Sequence, residues 1–251
     1  MRQTKRAGVT LGALLAVGAV AVALACSGGD TKATPSRDAA VVGASDSVTK
    51  TSSVKTNPAT GTTPPADGRR AVLFLGTSLT AGLGLEPDSA FPQQIQRKID
   101  ASGLSYQTVN AGVSGETSAG LLRRLDWVLQ SPAAVILVET GANDGLRGQS
   151  VDATKATIGK ILVRIKRDRP ESRVVLVQME APTNLGKEYT TSFHAMFPAL
   201  AREHGVVLTP FLLDGVAGHA ELNQGDGIHP NYAGERLVVA TVWKVLQPLL
   251  R

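Results

Sequence analysis

Aromatic residues and cysteine are scarce in this chain of 251 residues. Phe, Trp and Tyr make up 4% of it, so a core must be built largely from Val, Leu, Ile and Ala. A hydrophobic content of 43% is enough to fill such a core. Cys26 is the only cysteine, which excludes a disulfide within the chain.

Excess charge of one sign is also small. The formal net charge is +5, from 26 Lys and Arg residues against 21 Asp and Glu residues. Arg2, Lys5 and Arg6 precede Cys26 and no acidic residue does, so the rest of the chain carries only +2. Because no run of Lys and Arg is interleaved with aromatic residues, the sequence predicts no nucleic-acid surface.

Motifs of several other folds are missing too. No Gly-x-Gly-x-x-Gly opens the first predicted helix, which disfavours a dinucleotide-binding fold. The stretch 76–80 lacks the second glycine of Gly-x-Ser-x-Gly, which weakens an interpretation as an α/β-hydrolase. There is no internal repeat with a period of about 20–50 residues.

Residues 1–26 have the pattern of an export signal. A short basic region is followed by an apolar run over residues 9–25 that ends in small residues. The run is somewhat shorter than the roughly 20 residues of a spanning helix, and an uncleaved membrane anchor is the alternative. In both cases we expect the rest of the protein outside the cytoplasm.

Cys26 directly follows this apolar run, where bacterial lipoproteins carry their lipidated cysteine. In Ala23-Leu24-Ala25-Cys26 the Leu stands one place later than in the usual lipoprotein pattern. Two locations therefore stay open, a periplasmic or membrane-anchored lipoprotein attached through its N-terminus and a secreted protein.

Residues 27–68 consist mainly of Ser, Thr, Ala, Gly, Pro and Asp. Such a segment cannot bury enough apolar surface to offset the entropy lost on ordering, and we expect a disordered linker. Residues 69–251 then form the folded domain.

Apolar runs alternate with helical patterns throughout this domain. Strands are predicted at residues 71–75, 106–110, 133–139, 174–178 and 206–208. Helices are predicted at 91–101 and 232–246, and around the apolar stripes of 121–129, 158–165 and 193–200. In the last helix the residues predicted to face inward are Leu237, Val238, Val242, Val245 and Leu246. This alternation predicts an α/β fold with a parallel sheet covered by helices on both faces.

Polar or glycine-bearing turns follow the first three predicted strands. They contain Ser78, Gly115 and Asn143. Sites in open parallel sheets form outside the carboxyl ends of the strands, so we expect these three residues to converge. Ser78 is the candidate nucleophile; taken alone, it would also be explained as a helix N-cap.

Asp226 and His229 lie in a glycine-rich turn before the last helix. An Asp three residues before a His can hold one imidazole nitrogen by a hydrogen bond and leave the other basic toward a hydroxyl. Asn143, and the backbone N–H groups of Gly115 and Ser78, could donate to an oxyanion, although Asn143-Asp144-Gly145 alone would also be explained as an ordinary turn. The other histidines, His194, His204 and His219, lack such a setting, and we expect them to be structural or solvated.

Together these four short blocks resemble the SGNH, or GDSL, hydrolase family over residues 70–250. The blocks are Gly76-Thr77-Ser78-Leu79, Ser114-Gly115-Glu116-Thr117, Gly141-Ala142-Asn143-Asp144 and Asp226-Gly227-Ile228-His229-Pro230. Asn143-Asp144-Gly145-Leu146-Arg147-Gly148 is similar to the thioesterase I, lysophospholipase and arylesterase branch. Thr77 stands where the family signature has Asp, and we expect it to be tolerated because its side chain has none of the roles above. Ala142 stands where that branch often has Gly, which could reshape the acyl pocket.

The resemblance implies a three-layer α/β/α fold with a five-stranded parallel sheet of flavodoxin-like order. It also implies a serine esterase acting on acyl esters, with Ser78 as nucleophile, His229 as base and Asp226 orienting it. Gly115, Asn143 and the Ser78 amide would form the oxyanion hole, and neither metal nor cofactor is needed. Two alternatives stay open: a carbohydrate O-deacetylase on the same fold, and a catalytically silent binding module. Substrate and oligomeric state are not encoded in any motif.

Overall fold

The computed structural model describes residues 68–251. The predicted export signal over residues 1–26, with Cys26, and the predicted linker up to residue 67 lie outside the described residues. Within residues 68–251, none of the helices combines the length and the apolar character that crossing a bilayer requires.

A five-stranded sheet organises this part of the chain. Its strands are β1 (Arg70–Gly76), β2 (Tyr106–Gly112), β3 (Val135–Val138), β4 (Arg173–Gln178) and β5 (Val207–Phe211). All neighbouring strands pair in parallel, in the order β2-β1-β3-β4-β5. This is the flavodoxin-like order, and the predicted fold is confirmed.

Seven α-helices connect or follow the strands of the described part. They are α1 (Ser78–Ala81), α2 (Phe91–Ala101), α3 (Ser118–Val128), α4 (Ala142–Leu146), α5 (Val151–Asp168), α6 (Lys187–His204) and α7 (Tyr232–Leu246). α2 packs against α7, whereas α5 packs against both α3 and α6. The helices thus form two groups, one with α2 and α7 and one with α3, α5 and α6. Right-handed crossovers place these groups on opposite faces, because the chain reverses its direction across the sheet after β2.

The core follows the predicted periodicity in most elements. Ile158, Ile161, Leu162 and Ile165 of α5 are fully buried. The inward face predicted for α7 is wrong at Leu237, which is 41% exposed, while Val239 is buried at 3%. Residues 237–240 are all apolar, so the pattern there does not fix which side of the helix faces inward.

β1 and β3 are neighbours in the sheet, yet the chain leaves them toward opposite edges. This is the switch point at which doubly wound sheets open a crevice. Ser78 follows β1 and Asn143 follows β3, so both reach this crevice from its two sides.

Glu235 is a buried carboxyl group in the first turn of α7, with 2% of its surface exposed. Burial raises its pKa to about 8, although a hydrogen bond from the backbone of Phe91 acts in the opposite direction. Its Oε2 atom has no hydrogen-bond partner among the described residues. Glu235 therefore joins α7 to the start of α2 as a protonated side chain at neutral pH.

A Glu235→Gln variant should be less sensitive to alkaline pH than the parent protein. The unfolded chain releases this proton near pH 4.5 and the folded chain only near pH 8, so stability falls as pH rises between these values. Gln removes that loss, a relative gain of up to about 4 kcal/mol at pH 8 compared with pH 4.5. Urea unfolding at both pH values measures it, with the exposed Glu171→Gln as control. A gain that is equal at both pH values would contradict the assignment.

Candidate active site

Ser78 is the first residue of the single-turn helix α1, which follows β1 after a tight turn. Six consecutive buried residues of β1 lead into the turn, and Ser78 itself is 8% exposed. A Cβ atom at position 76 would lie 1.9 Å from Thr80 Oγ1 and 2.7 Å from Glu139 Oε2. Gly76 is thus required for space, because any side chain there would displace the serine turn.

The loop before α7 carries Asp226 and His229. Gln224 N–H donates to the His229 carbonyl at 2.7 Å, and Asn223 forms an isolated antiparallel bridge with Pro230. These contacts close the loop into a tight reversal, which Gly227 completes with a φ of +68°. The loop therefore presents the His229 ring in a fixed position.

Ser78, His229 and Asp226 form a continuous hydrogen-bonded chain. Ser78 Oγ lies 2.8 Å from His229 Nε2, and His229 Nδ1 lies 2.6 Å from Asp226 Oδ2. Asp226 Oδ1 accepts from the backbone N–H groups of Ile228 and His229 at 2.9 and 3.0 Å. The three residues singled out from sequence are brought together across 151 positions of the chain.

The Asp226 carboxyl group is held in its ionised form. The backbone hydrogen bond from His229 lowers its pKa to about 2, with smaller contributions from the His229 ring and the Ile228 backbone, while partial burial acts in the opposite direction. An anionic Asp226 next to Nδ1 favours the tautomer that leaves Nε2 free to accept the serine proton.

Gly115 and Asn143 lie beside one another near the Ser78 turn. Asn143 Nδ2 donates to the Glu116 carbonyl at 3.1 Å, and Val113 N–H donates to the Gly76 carbonyl at 2.9 Å. Gly115 has a φ of +77°, which favours glycine. Within the described residues, no acceptor takes the backbone N–H of Gly115 or Ser78. Two backbone N–H groups, and the second N–H of the Asn143 amide, thus have no acceptor within the described residues.

Asn143 lies in a helix and not in the ordinary turn that its local sequence also suggests. It belongs to α4, whose Asp144 is 1% exposed and accepts from Ser118 N and Ser118 Oγ at 2.8 and 2.6 Å. This bond ties α4 to the start of α3. The position of Asn143 is therefore fixed by its own bond to the Glu116 carbonyl and by the bonds of Asp144 to Ser118.

The other three histidines lie outside this hydrogen-bonded chain. His194 is paired with Glu180 at 2.6 Å, but its side chain is 61% exposed. His219 is exposed, and His204 packs near the end of α6. Residues 68–251 contain no group of three or more His, Cys, Asp or Glu side chains placed to hold a metal ion.

Residues 74–237 match the model of the GDSL-like lipase/acylhydrolase family. The chain belongs to this family. It is 34% identical to the esterase TesA of Pseudomonas aeruginosa over 182 residues, which cover 72% of this chain and 90% of that protein. It is 37% identical to thioesterase 1/protease 1/lysophospholipase L1 of Escherichia coli over 180 residues, 71% of this chain and 84% of that protein.

A solved structure of a relative agrees with the fold. The psychrotrophic esterase EstA from Pseudoalteromonas sp., inhibited by monoethylphosphonate, superposes with a TM-score of 0.68 at 31% identity. The match covers 72% of this chain and 98% of that one. As a member of the thioesterase and arylesterase branch of the family, the protein is a carboxylic ester hydrolase.

Glu139 is a residue of the site that the sequence interpretation missed. It is fully buried after β3 and accepts from Thr77 N–H at 2.7 Å and from the hydroxyls of Thr77 and Thr80 at 2.9 and 3.0 Å. Burial raises its pKa, and these hydrogen bonds oppose the rise. An acid that ends an apolar strand was the signal available in the sequence.

That Thr77 is tolerated in place of Asp stays a prediction, but its side chain has a structural contact that the sequence did not predict. Its hydroxyl donates to Glu139 beneath the serine turn and is itself 1% exposed. The family signature has Asp at this place, whereas in this chain the uncharged Thr77 hydroxyl donates a hydrogen bond to the Glu139 carboxyl group.

Proposed function

We propose that this hydrolase is an exported serine esterase in which Ser78 is transiently acylated. The hydrogen-bonded chain from Ser78 Oγ through the His229 ring to Asp226 is the main support, since it joins nucleophile, base and orienting acid at 2.8 and 2.6 Å. The family relationship supports ester hydrolysis as the reaction class.

The reaction proceeds in two halves. Ser78 Oγ attacks the ester carbonyl carbon while His229 Nε2 takes its proton, and the tetrahedral intermediate forms. Its bond to the alcohol oxygen then breaks, and His229 gives the proton to that oxygen. Water repeats the sequence on the acyl-enzyme, which releases the carboxylic acid and restores the Ser78 hydroxyl. Asp226 accepts from Nδ1–H throughout.

Three donors stabilise the oxyanion in both halves. They are the backbone N–H groups of Ser78 and Gly115 and the Nδ2 amide of Asn143. Donors of this kind contribute roughly 10²–10³-fold each to kcat because they are already oriented before charge develops. The absence of described acceptors for both backbone groups supports these assignments.

The acyl group occupies an open apolar rim around the site. Four large apolar side chains close to site residues in the chain are more than two-fifths exposed: Leu83, Leu146, Ile228 and Tyr232. Leu83 is joined to the loop before α7, because Gln224 Nε2 donates to its carbonyl at 2.8 Å. An open rim favours short to medium acyl chains, which it can cover without a closed tunnel.

A series of 4-nitrophenyl esters tests this function. The purified protein should hydrolyse the acetate, butyrate and octanoate with higher kcat/KM than the palmitate. A preference restricted to acetyl groups, with acetylated sugars preferred to the nitrophenyl ester, would favour carbohydrate deacetylation instead. Failure of a folded sample on every ester and thioester would leave the binding module.

Residues 69–251 are proposed as the hydrolase domain and residues 1–26 as its export signal. The basic start and apolar run of residues 1–26 support export to the periplasm or beyond. Cys26 is the residue to which a lipid anchor would be attached.

A further inference from the structure

A pocket of about 430 Å³ opens on the outer side of the Gly115 turn. Residues that line it include Ser114, Gly115 and Thr117 of the turn and the three arginines Arg123, Arg124 and Arg147. Two of these arginines project from α3, and Arg147 directly follows α4. Three guanidinium groups thus gather beside a proposed oxyanion donor.

Only one of the three charges is neutralised within the pocket. Arg124 forms a two-point ion pair with Glu116, with both N–O distances 2.7 Å, and also donates to the Ala111 carbonyl. The Arg123 side chain makes no hydrogen bond or ion pair among residues 68–251. Since Glu116 is the single acidic residue of the wall, the pocket retains two positive charges.

Arg147 connects the pocket to the site. One of its guanidinium nitrogens donates to the Gly115 carbonyl at 3.0 Å, and its backbone N–H donates to the Asn143 carbonyl at 3.2 Å. Arg147 therefore contacts both residues that flank the oxyanion position. A group bound by its remaining N–H donors would lie next to the reacting ester.

We propose that this pocket is a subsite for an anionic group, a carboxylate or a phosphate, carried by the ester substrate. The inference rests on the proposed function and narrows its substrate class to acidic esters. Guanidinium groups present parallel N–H donors that match two oxygens of either anion, and a charge-assisted pair is stronger than a neutral hydrogen bond. The anion can belong to the acyl or to the alcohol half.

Two pairs of esters distinguish those halves. Mono-4-nitrophenyl glutarate is compared with 4-nitrophenyl butyrate, and 4-carboxyphenyl butyrate with 4-carbamoylphenyl butyrate. Arg123→Gln should lower the anionic-to-neutral ratio of kcat/KM about tenfold in one pair, and Arg123→Glu should lower it further. Salt should reduce the preference of the parent protein. Intrinsic reactivity cancels, because each ratio is compared between enzymes acting on the same esters.

Arg123 is the appropriate position because its replacement removes no side-chain hydrogen bond or ion pair within the described residues. Arg202→Glu is the matched control: it is an exposed arginine in the last turn of α6, at the opposite edge of the sheet, and should leave both ratios unchanged. Ratios that stay within about twofold in Arg123→Glu would overturn the subsite while leaving ester hydrolysis intact.

A binding measurement decides the question even if no ester is hydrolysed. Calorimetry on the full chain with Ser78→Ala should detect phenyl phosphate, and adding Arg123→Glu should abolish its binding, whereas adding Arg202→Glu should not. If phenyl phosphate does not bind, or binds equally well to the Arg123→Glu protein, the proposed subsite is overturned whether or not the protein hydrolyses esters. Failure of hydrolysis with intact binding would instead overturn only the proposed function.

Discussion

Ser78→Ala should lower kcat for 4-nitrophenyl butyrate by about four to six orders of magnitude. The variant loses the oxygen that lies 2.8 Å from His229 Nε2, so no acyl-enzyme can form. The remaining oxyanion donors still favour direct attack by water, which sets a floor above the uncatalysed rate. Initial rates of nitrophenolate release, measured on highly purified protein, give the size of the effect.

The matched control is Ser102→Ala. Ser102 is exposed and directly follows α2, near the amino end of β2 and away from the carboxyl ends of the strands where the site lies. Its variant should keep the parent kcat. A phosphonate ester should add its phosphonyl group to the parent protein and not to Ser78→Ala, as mass spectrometry will show. A Ser78→Ala variant that retains a tenth of the parent rate would show that another residue is the nucleophile.

Asp226→Asn should lower kcat by about 10⁴-fold while KM changes little. The amide can present an N–H to His229 Nδ1, which favours the tautomer whose Nε2 carries the proton and cannot accept from Ser78. The surrounding geometry should persist, because the amide oxygen can still accept from the backbone N–H groups of Ile228 and His229. Steady-state kinetics on both proteins separate the kcat effect from any change in KM.

The pH dependence provides a second readout for Asp226. Its pKa is lowered to about 2, so its protonation can contribute to loss of activity in the parent only near that pH. A fall in activity between pH 4 and 5 that is caused by protonation of Asp226 would contradict the assigned hydrogen bonds. Asp214→Asn, at an exposed position, is the control and should match the parent rate.

Local sequence patterns predicted most of the fold, because the helices bury one regular face and the central strands β1 and β3 are continuous buried apolar runs. The bounds of α2 and α7 agree with the structure, whereas β5 extends to Phe211 beyond the predicted end at residue 208. Pro210 interrupts the apolar pattern there, and it is tolerated because β5 is an edge strand. α4 was missed, because its short sequence of Asn, Asp and Gly has no helical periodicity.

The site was predictable where residue types are chemically distinctive. Ser78, His229 and Asp226 could be singled out because nucleophile, base and acid each require a particular side chain. The role of Glu139 could not, since it arises from a contact between segments far apart in the chain, and the arginine pocket beside the Gly115 turn could not, since it forms only where α3 and the end of α4 meet that turn. Glu139 meets Thr77 across 62 positions, and no local pattern encodes such a meeting.

The contact between Thr77 and Glu139 makes two positions of the family signature interdependent. A hydroxyl satisfies the buried carboxylate without adding charge, whereas the usual Asp at position 77 would bring a second acid to a site with no described cation. One of the two acids would then have to keep its proton. In this chain the serine turn and the end of β3 are therefore joined through one buried carboxylate, and introducing Asp at position 77 alone would destabilise the turn.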